Sequence, residues 1–148
     1  REDIQEADTL SGPQRDAALA ALATLPTGDG LSHGDMHFGN LLGDPRDPVV
    51  IDWGGATRGD PTADVALTVL MHRLARPGPG TPGLVRSVAP VGARLIIGAY
   101  LAAYRRDRPL DGDLLERWIV VRAAARLTHG IEDEDAGLRS VVAAAFGP

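Results

Sequence analysis

Glycine and proline punctuate residues 26–61 so densely that no helix of ordinary length fits there. Only two short apolar runs, "NLL" at 40–42 and "VVID" at 49–52, are left to form strands. On both sides apolar residues recur at helical spacing. Ser11 and Pro13 are placed as N-cap and early helical proline for a helix through Leu25, and Asp60 or Thr62 can cap a helix carrying Val65, Ala66, Val69, Leu70 and Leu74. Further helices are predicted at about 85–106, 112–128 and 134–146. The fold class is therefore mostly α (α+β): helices around one small β-hairpin, in which "VVIDW" reads as a short buried strand.

A chain of 148 residues fits a single domain, 1–148, able to bury roughly 70% of the surface its unfolded form exposes. It has no cysteine, which excludes disulfides, thiolate metal sites and cysteine nucleophiles. All fifteen basic residues are arginine, so Walker-type loops and Schiff-base chemistry are excluded as well. A net charge of −5 lacks the basic excess that duplex nucleic acid calls for, and cationic small partners remain open. No uninterrupted apolar run approaches the roughly 18–20 residues of a membrane span, and there is no signal-peptide pattern. The expectation is a cytoplasmic protein with no nucleic-acid or membrane partner. The chain begins at Arg1 with an amphipathic segment already under way, as part of a longer protein would.

The chemistry is concentrated between residues 33 and 64. "SHGDMHFGN" at 32–40 packs two histidines, an aspartate and an asparagine into a glycine-bearing loop. If Leu42 lies opposite Val50 in an antiparallel hairpin across "GDPRDP", Asn40 lies opposite Asp52, with Cβ atoms roughly 4.5–5.5 Å apart. An amide oxygen and a carboxylate are hard donors that suit Mg²⁺. Asp35, five residues before Asn40, is then placed to accept or orient a hydroxyl proton. Taken singly, Asn40 also reads as a turn cap and Asp52 as a solvated strand end.

His33, Asp35 and Asn40 match the spacing of the kinase catalytic loop, and Asp52 stands where the aspartate of its metal-binding D-F-G motif would. The form "HGDMHFGN", followed by "VVIDWGGATRGDPTADVA", resembles the aminoglycoside phosphotransferase and choline kinase family over residues 31–67. That resemblance implies a protein-kinase-like fold that phosphorylates small-molecule hydroxyls with ATP and Mg²⁺. It implies Asp35 as catalytic base, Asn40 and Asp52 as Mg²⁺ ligands, and His33 and Asp64 as internal braces of the loop, although Asp64 also reads as a first-turn aspartate favoured by the helix dipole. His37 stands where protein kinases carry a phosphate-contacting lysine, and phosphate binding and a purely structural role are both open for it.

The resemblance also implies a partner: an N-terminal lobe whose strand lysine holds the ATP phosphates, missing from these residues. The chain reads as the helical C-terminal lobe alone, and the isolated lobe is expected to transfer phosphate poorly or not at all. The acceptor is unassigned, with an antibiotic, choline, a sugar amine or a homoserine-like metabolite all compatible with the family. The acidic "GIEDED" at 130–135 could attract a polycation or simply be a solvated face. Trp53 could line an acceptor pocket, whereas Trp118 reads as core. His72 and His129 receive no role. Two other readings remain: a metal-dependent hydrolase using His33, Asp35 and His37, which alternate as on an extended strand, and a non-catalytic kinase-like binding module.

Overall fold

Side-chain caps set the starts of three of the six α-helices among the described residues. The computed structural model describes residues 1–78 and 80–147. After a short helix α1 (Glu2–Glu6), Ser11 opens α2 (Gly12–Ala23) with a capping box: its hydroxyl accepts from the Gln14 N–H, and the Gln14 side chain accepts from the Ser11 N–H. Asp60 caps α3 (Pro61–Leu74) through the Thr62 N–H, and Asp111 caps α5 (Gly112–Arg126) through the N–H groups of Asp113 and Leu114. Between them runs α4 (Gly83–Asp107), and α6 (Glu132–Phe146) closes the chain. The acidic run lies in the first turn of α6, where four carboxylates meet the positive end of the helix dipole.

Helices α3 and α5 pack along each other as the central pair. Val65, Val69 and Leu70 of α3 and Leu115, Trp118 and Ile119 of α5 are buried there, joined by Ile4 of α1 and by Leu138 and Val142 of α6. The Trp118 indole donates to the carboxylate of Asp60 (3.3 Å), fastening the start of α3 to α5.

The polar segment between α2 and α3 holds two small antiparallel sheets rather than one. Strands β1 (Gly30–Ser32) and β4 (Thr57–Gly59) pair, Leu31 opposite Arg58, and close the segment at its base. Strands β2 (Leu41–Asp44) and β3 (Asp47–Val50) form the anticipated hairpin, but its register corrects the expectation. Leu41 lies opposite Val50, Leu42 opposite Val49 and Asp44 opposite Asp47. The two-residue turn Pro45–Arg46, closed by the Asp44 carboxylate accepting from the Arg46 N–H (2.8 Å), fixes this pairing. Placing Leu42 opposite Val50 would have needed an odd loop. Nor is "VVIDW" a buried strand. Val49 is 60% and Trp53 46% exposed, since neither face of the hairpin is packed under the core.

Helix α4 differs from the others in having no buried residue. Ile97, Tyr100, Leu101 and Tyr104 rest partly buried on the core, while Leu84, Val88, Val91 and Leu95 face outward. By length and composition alone this helix is apolar enough to cross a membrane, which counting uninterrupted apolar runs misses because arginines are spaced along it.

Candidate active site

The loop after β1 is held from below by the first turn of α3. Asp64 accepts two backbone hydrogen bonds, from the N–H groups of His33 and Gly34, each 2.8 Å. Both carboxylate oxygens are thereby engaged, on donors that would otherwise be left without partners. Gly34 has φ +84°, and a Cβ there would stand 2.2 Å from the carbonyl oxygen of Gly55, so only glycine lets the two loops pass. The Thr68 hydroxyl, one turn further along α3, reaches the Met36 carbonyl (3.1 Å) and completes the attachment.

His33 is buried, 4% exposed, and the backbone occupies both of its ring nitrogens. Nδ1 accepts from the Asp35 N–H (3.3 Å), which leaves the proton on Nε2 to be donated to the Ile51 carbonyl (2.8 Å). His33 thus ties the Asp35 loop to the segment leading into Asp52. Trp53 packs against its ring at a centroid distance of 4.7 Å and donates its indole N–H to the Val50 carbonyl. This arrangement corrects the hydrolase reading. His33 has no lone pair left for a metal, and the turn at Gly34 breaks the extended strand on which His33, Asp35 and His37 would face one way. Trp53 lines neither cavity beside the loop, and Trp118 is core.

Asp35 emerges from this bracing with its side chain 41% exposed. One carboxylate oxygen lies 3.7 Å from His37 Nε2 and the other 4.0 Å from an Arg126 guanidinium nitrogen. His37 caps a short 3₁₀ turn, Phe38–Asn40, its Nδ1 accepting from the Gly39 N–H (3.0 Å), so its Nε2–H is the edge turned toward Asp35. Asn40, 6% exposed, donates its side-chain amide to the Asp35 carbonyl (2.8 Å), leaving its Oδ1 without a protein donor among the described residues.

Asp52 is the single described non-glycine residue with positive φ (61°), a left-handed conformation that costs about 1 kcal/mol or more and that aspartate tolerates better than most. This twist and the hairpin register together overturn the directly opposed pair. Ile51, not Asp52, bonds the Asn40 backbone (3.0 Å), and Asn40 and Asp52 flank the hairpin instead of facing each other on it.

Asp35 and Asp52 do share a cavity of about 450 Å³, lined also by Gly34, Gly55, Arg122 and Arg126. The two arginines are the feature that sequence reading overlooked. Their spacing in "RAAAR" puts both on one face of α5, but nothing local says that the face looks at Asp35. Glu134 of α6 grips Arg126 at two points, one of them 3.0 Å, and holds its guanidinium above its ordinary pKa. Burial pushes Arg122 down, and its Nε has no partner among the described residues. The acidic run is partly consumed in the same way, since Asp135 pairs with Arg139 at 2.7 Å.

The carboxylates of the Asp35–Asp52 cavity are hard oxygen donors of the kind Mg²⁺ takes; Asn40, whose Oδ1 has no protein donor among the described residues, is not one of its lining residues. No curated protein and no solved structure matches the chain. The profile of the phosphotransferase enzyme family matches residues 2–110, which include the braced loop, Asp52 and all of α3. The chain belongs to the phosphotransferase enzyme family.

Proposed function

We propose that this chain is the catalytic lobe of an ATP-dependent, kinase-like phosphotransferase whose acceptor is a hydroxyl of a small molecule. The observation that carries this reading is Asp35. It is the exposed carboxylate of a loop that Asp64 and His33 fasten through its backbone, and it opens on the same cavity as Asp52. A loop immobilised by Asp64 and His33 holds a general base in place without spending substrate binding energy on ordering it.

In this reading Asp35 accepts the proton of the attacking hydroxyl. The His37 Nε2–H edge steadies one carboxylate oxygen, and Arg126 lies beside the other. Asp52, with the free Oδ1 of Asn40, would hold Mg²⁺, which when bound neutralises charge on the transferring phosphate. The support for this pair is family membership and donor chemistry, not the hairpin register.

Three measurements test the reading. In the complete reading frame, Asp35→Asn is expected to lower turnover about 10²- to 10⁴-fold while leaving nucleotide affinity nearly unchanged. Turnover at the wild-type level removes Asp35 from the chemistry. Independently of activity, Mn²⁺ added to the chain is expected to broaden the amide signals of Gly34 and Asp52, and Asp52→Ala to abolish the effect. Residues 1–148 alone, which contain no lysine to hold the nucleotide phosphates, are expected to phosphorylate alcohols far more slowly than the complete protein.

A further inference from the structure

A second cavity, of about 310 Å³, lies on the other side of His37, between the loop, α3 and α4. Apolar side chains, Met36, Phe38, Val69, Ile97 and Ala99 among them, make most of its wall, and among the described residues no carboxylate lines it. Its polar groups are few and neutral in function. The Thr68 hydroxyl hydrogen is spent on carbonyl oxygens of the loop and of α3. His72 donates Nδ1–H to the Thr68 carbonyl (2.8 Å), which leaves its Nε2 lone pair free, and its ring meets Phe38 edge-on at 5.3 Å. Tyr100 brings a phenol whose pKa burial raises, so it stays a hydrogen-bond donor. A mostly apolar wall with a few convergent polar groups, at about 300 Å³ or more, has the chemistry of a small-molecule site.

Its position relative to Asp35 gives the cavity its meaning. His37 lines it, and the same imidazole stands 3.7 Å from the Asp35 carboxylate. We propose that this cavity receives the apolar body of the acceptor, and that the acceptor is an uncharged or weakly charged alcohol carrying a single ring or a branched chain. A polycation fits poorly, because it would have to lose its hydration against apolar side chains. Asp35 approaches the cavity's edge through His37 but does not line its wall, while Glu134 is held by Arg126 and Asp135 by Arg139. In the neighbouring cavity Arg122 and Arg126 stand against Asp3, Asp35 and Asp52, so its carboxylates are largely offset. The acceptor assignment rests on the phosphotransferase reading; the cavity's preference for an apolar ligand does not.

The test uses two probes on the chain labelled for methyl and amide NMR: 2-phenylethanol, an apolar alcohol, and 2-deoxystreptamine, a compact dicationic diamino polyol. The expected result is that 2-phenylethanol shifts the methyl signals of Met36 and Ile97 and the amide of His37, while 2-deoxystreptamine shifts none of them. Ala99→Phe places a ring into the cavity from an exposed position on α4 and is expected to weaken 2-phenylethanol binding at least tenfold. Ile96→Gln, a second exposed change in the wall, is expected to weaken it severalfold with the melting temperature unchanged. The proposal is overturned if 2-phenylethanol leaves Met36 and Ile97 unmoved, if 2-deoxystreptamine moves them, or if the cavity signals shift without His37. Loss of the Mn²⁺ effect with these shifts intact instead overturns the phosphotransferase reading, and with it the acceptor role of the cavity.

Discussion

Helices α3 and α4 are neighbours in sequence and in space, and both are rich in aliphatic residues, yet they do opposite work. Residues Val65 to Leu70 of α3 are all buried, whereas no residue of α4 is. The difference lies in what surrounds them. Helix α3 is enclosed by α5 on one side and by the loop that Asp64 and Thr68 hold on another. Helix α4 rests chiefly on α3 and presents its outer stripe, with Leu95 69% exposed, to whatever adjoins it. Apolar content therefore identifies a helix that can be buried without deciding whether it is. Here the helix that is buried is also the one that aims the site, so rigidity of the core passes directly to Asp35.

The sharpest way to test this contrast is to open a hole in α3. Leu70→Ala removes a fully buried side chain and is expected to destabilise the chain by about 2–5 kcal/mol, measured by urea denaturation. Next comes the brace itself: Asp64→Ala strips partners from two backbone N–H groups and is expected to cost roughly 1–3 kcal/mol. Faster amide exchange at His33 and Gly34 should accompany it. If those amides stay protected, the loop is held by something other than α3.

On α4 the expectation reverses. Leu95→Gln, on the outward stripe, should change stability by no more than about 0.5 kcal/mol. A loss well above that would mean the stripe is covered in solution, and the comparison with α3 would fail.

The smallest effect concerns the surface pair that joins α3 to α5, Arg73 with Glu116 at 2.7 Å. Its hydrogen bond to Arg73 holds the Glu116 carboxyl below the usual carboxylate range. A carboxyl lowered on folding adds stability above its unfolded pKa of about 4.3 and loses it as pH falls through the folded value. Because Glu116 is more than half exposed, solvent screening limits the contribution to about 0.5 kcal/mol at most. Thermal melts of wild type and Glu116→Gln should differ slightly at pH 6 and converge as the pH drops below 4. A difference that persists in acid assigns the effect to packing.

The sequence by itself determined the helices and the identity of the residues in the site loop. Ser11 and Asp60 cap helices because a side-chain oxygen satisfies N–H groups only two or three residues away, and proline and glycine end them through their own backbone. Such effects act within a few residues, so they are legible in a string of letters. The hairpin register turned on one local choice that the strand pattern leaves open: shifting the pairing of "LLGD" with "DPVV" by one residue leaves the strand preferences unchanged, and the two-residue turn distinguishes the alternatives. Beyond any local reading lie the pairing of β1 with β4, Arg126 beside Asp35, and the exposed stripe of α4. Each depends on segments distant in the chain arriving at one place, and that arrival is decided by the packing of α3 against α5, which no local pattern encodes.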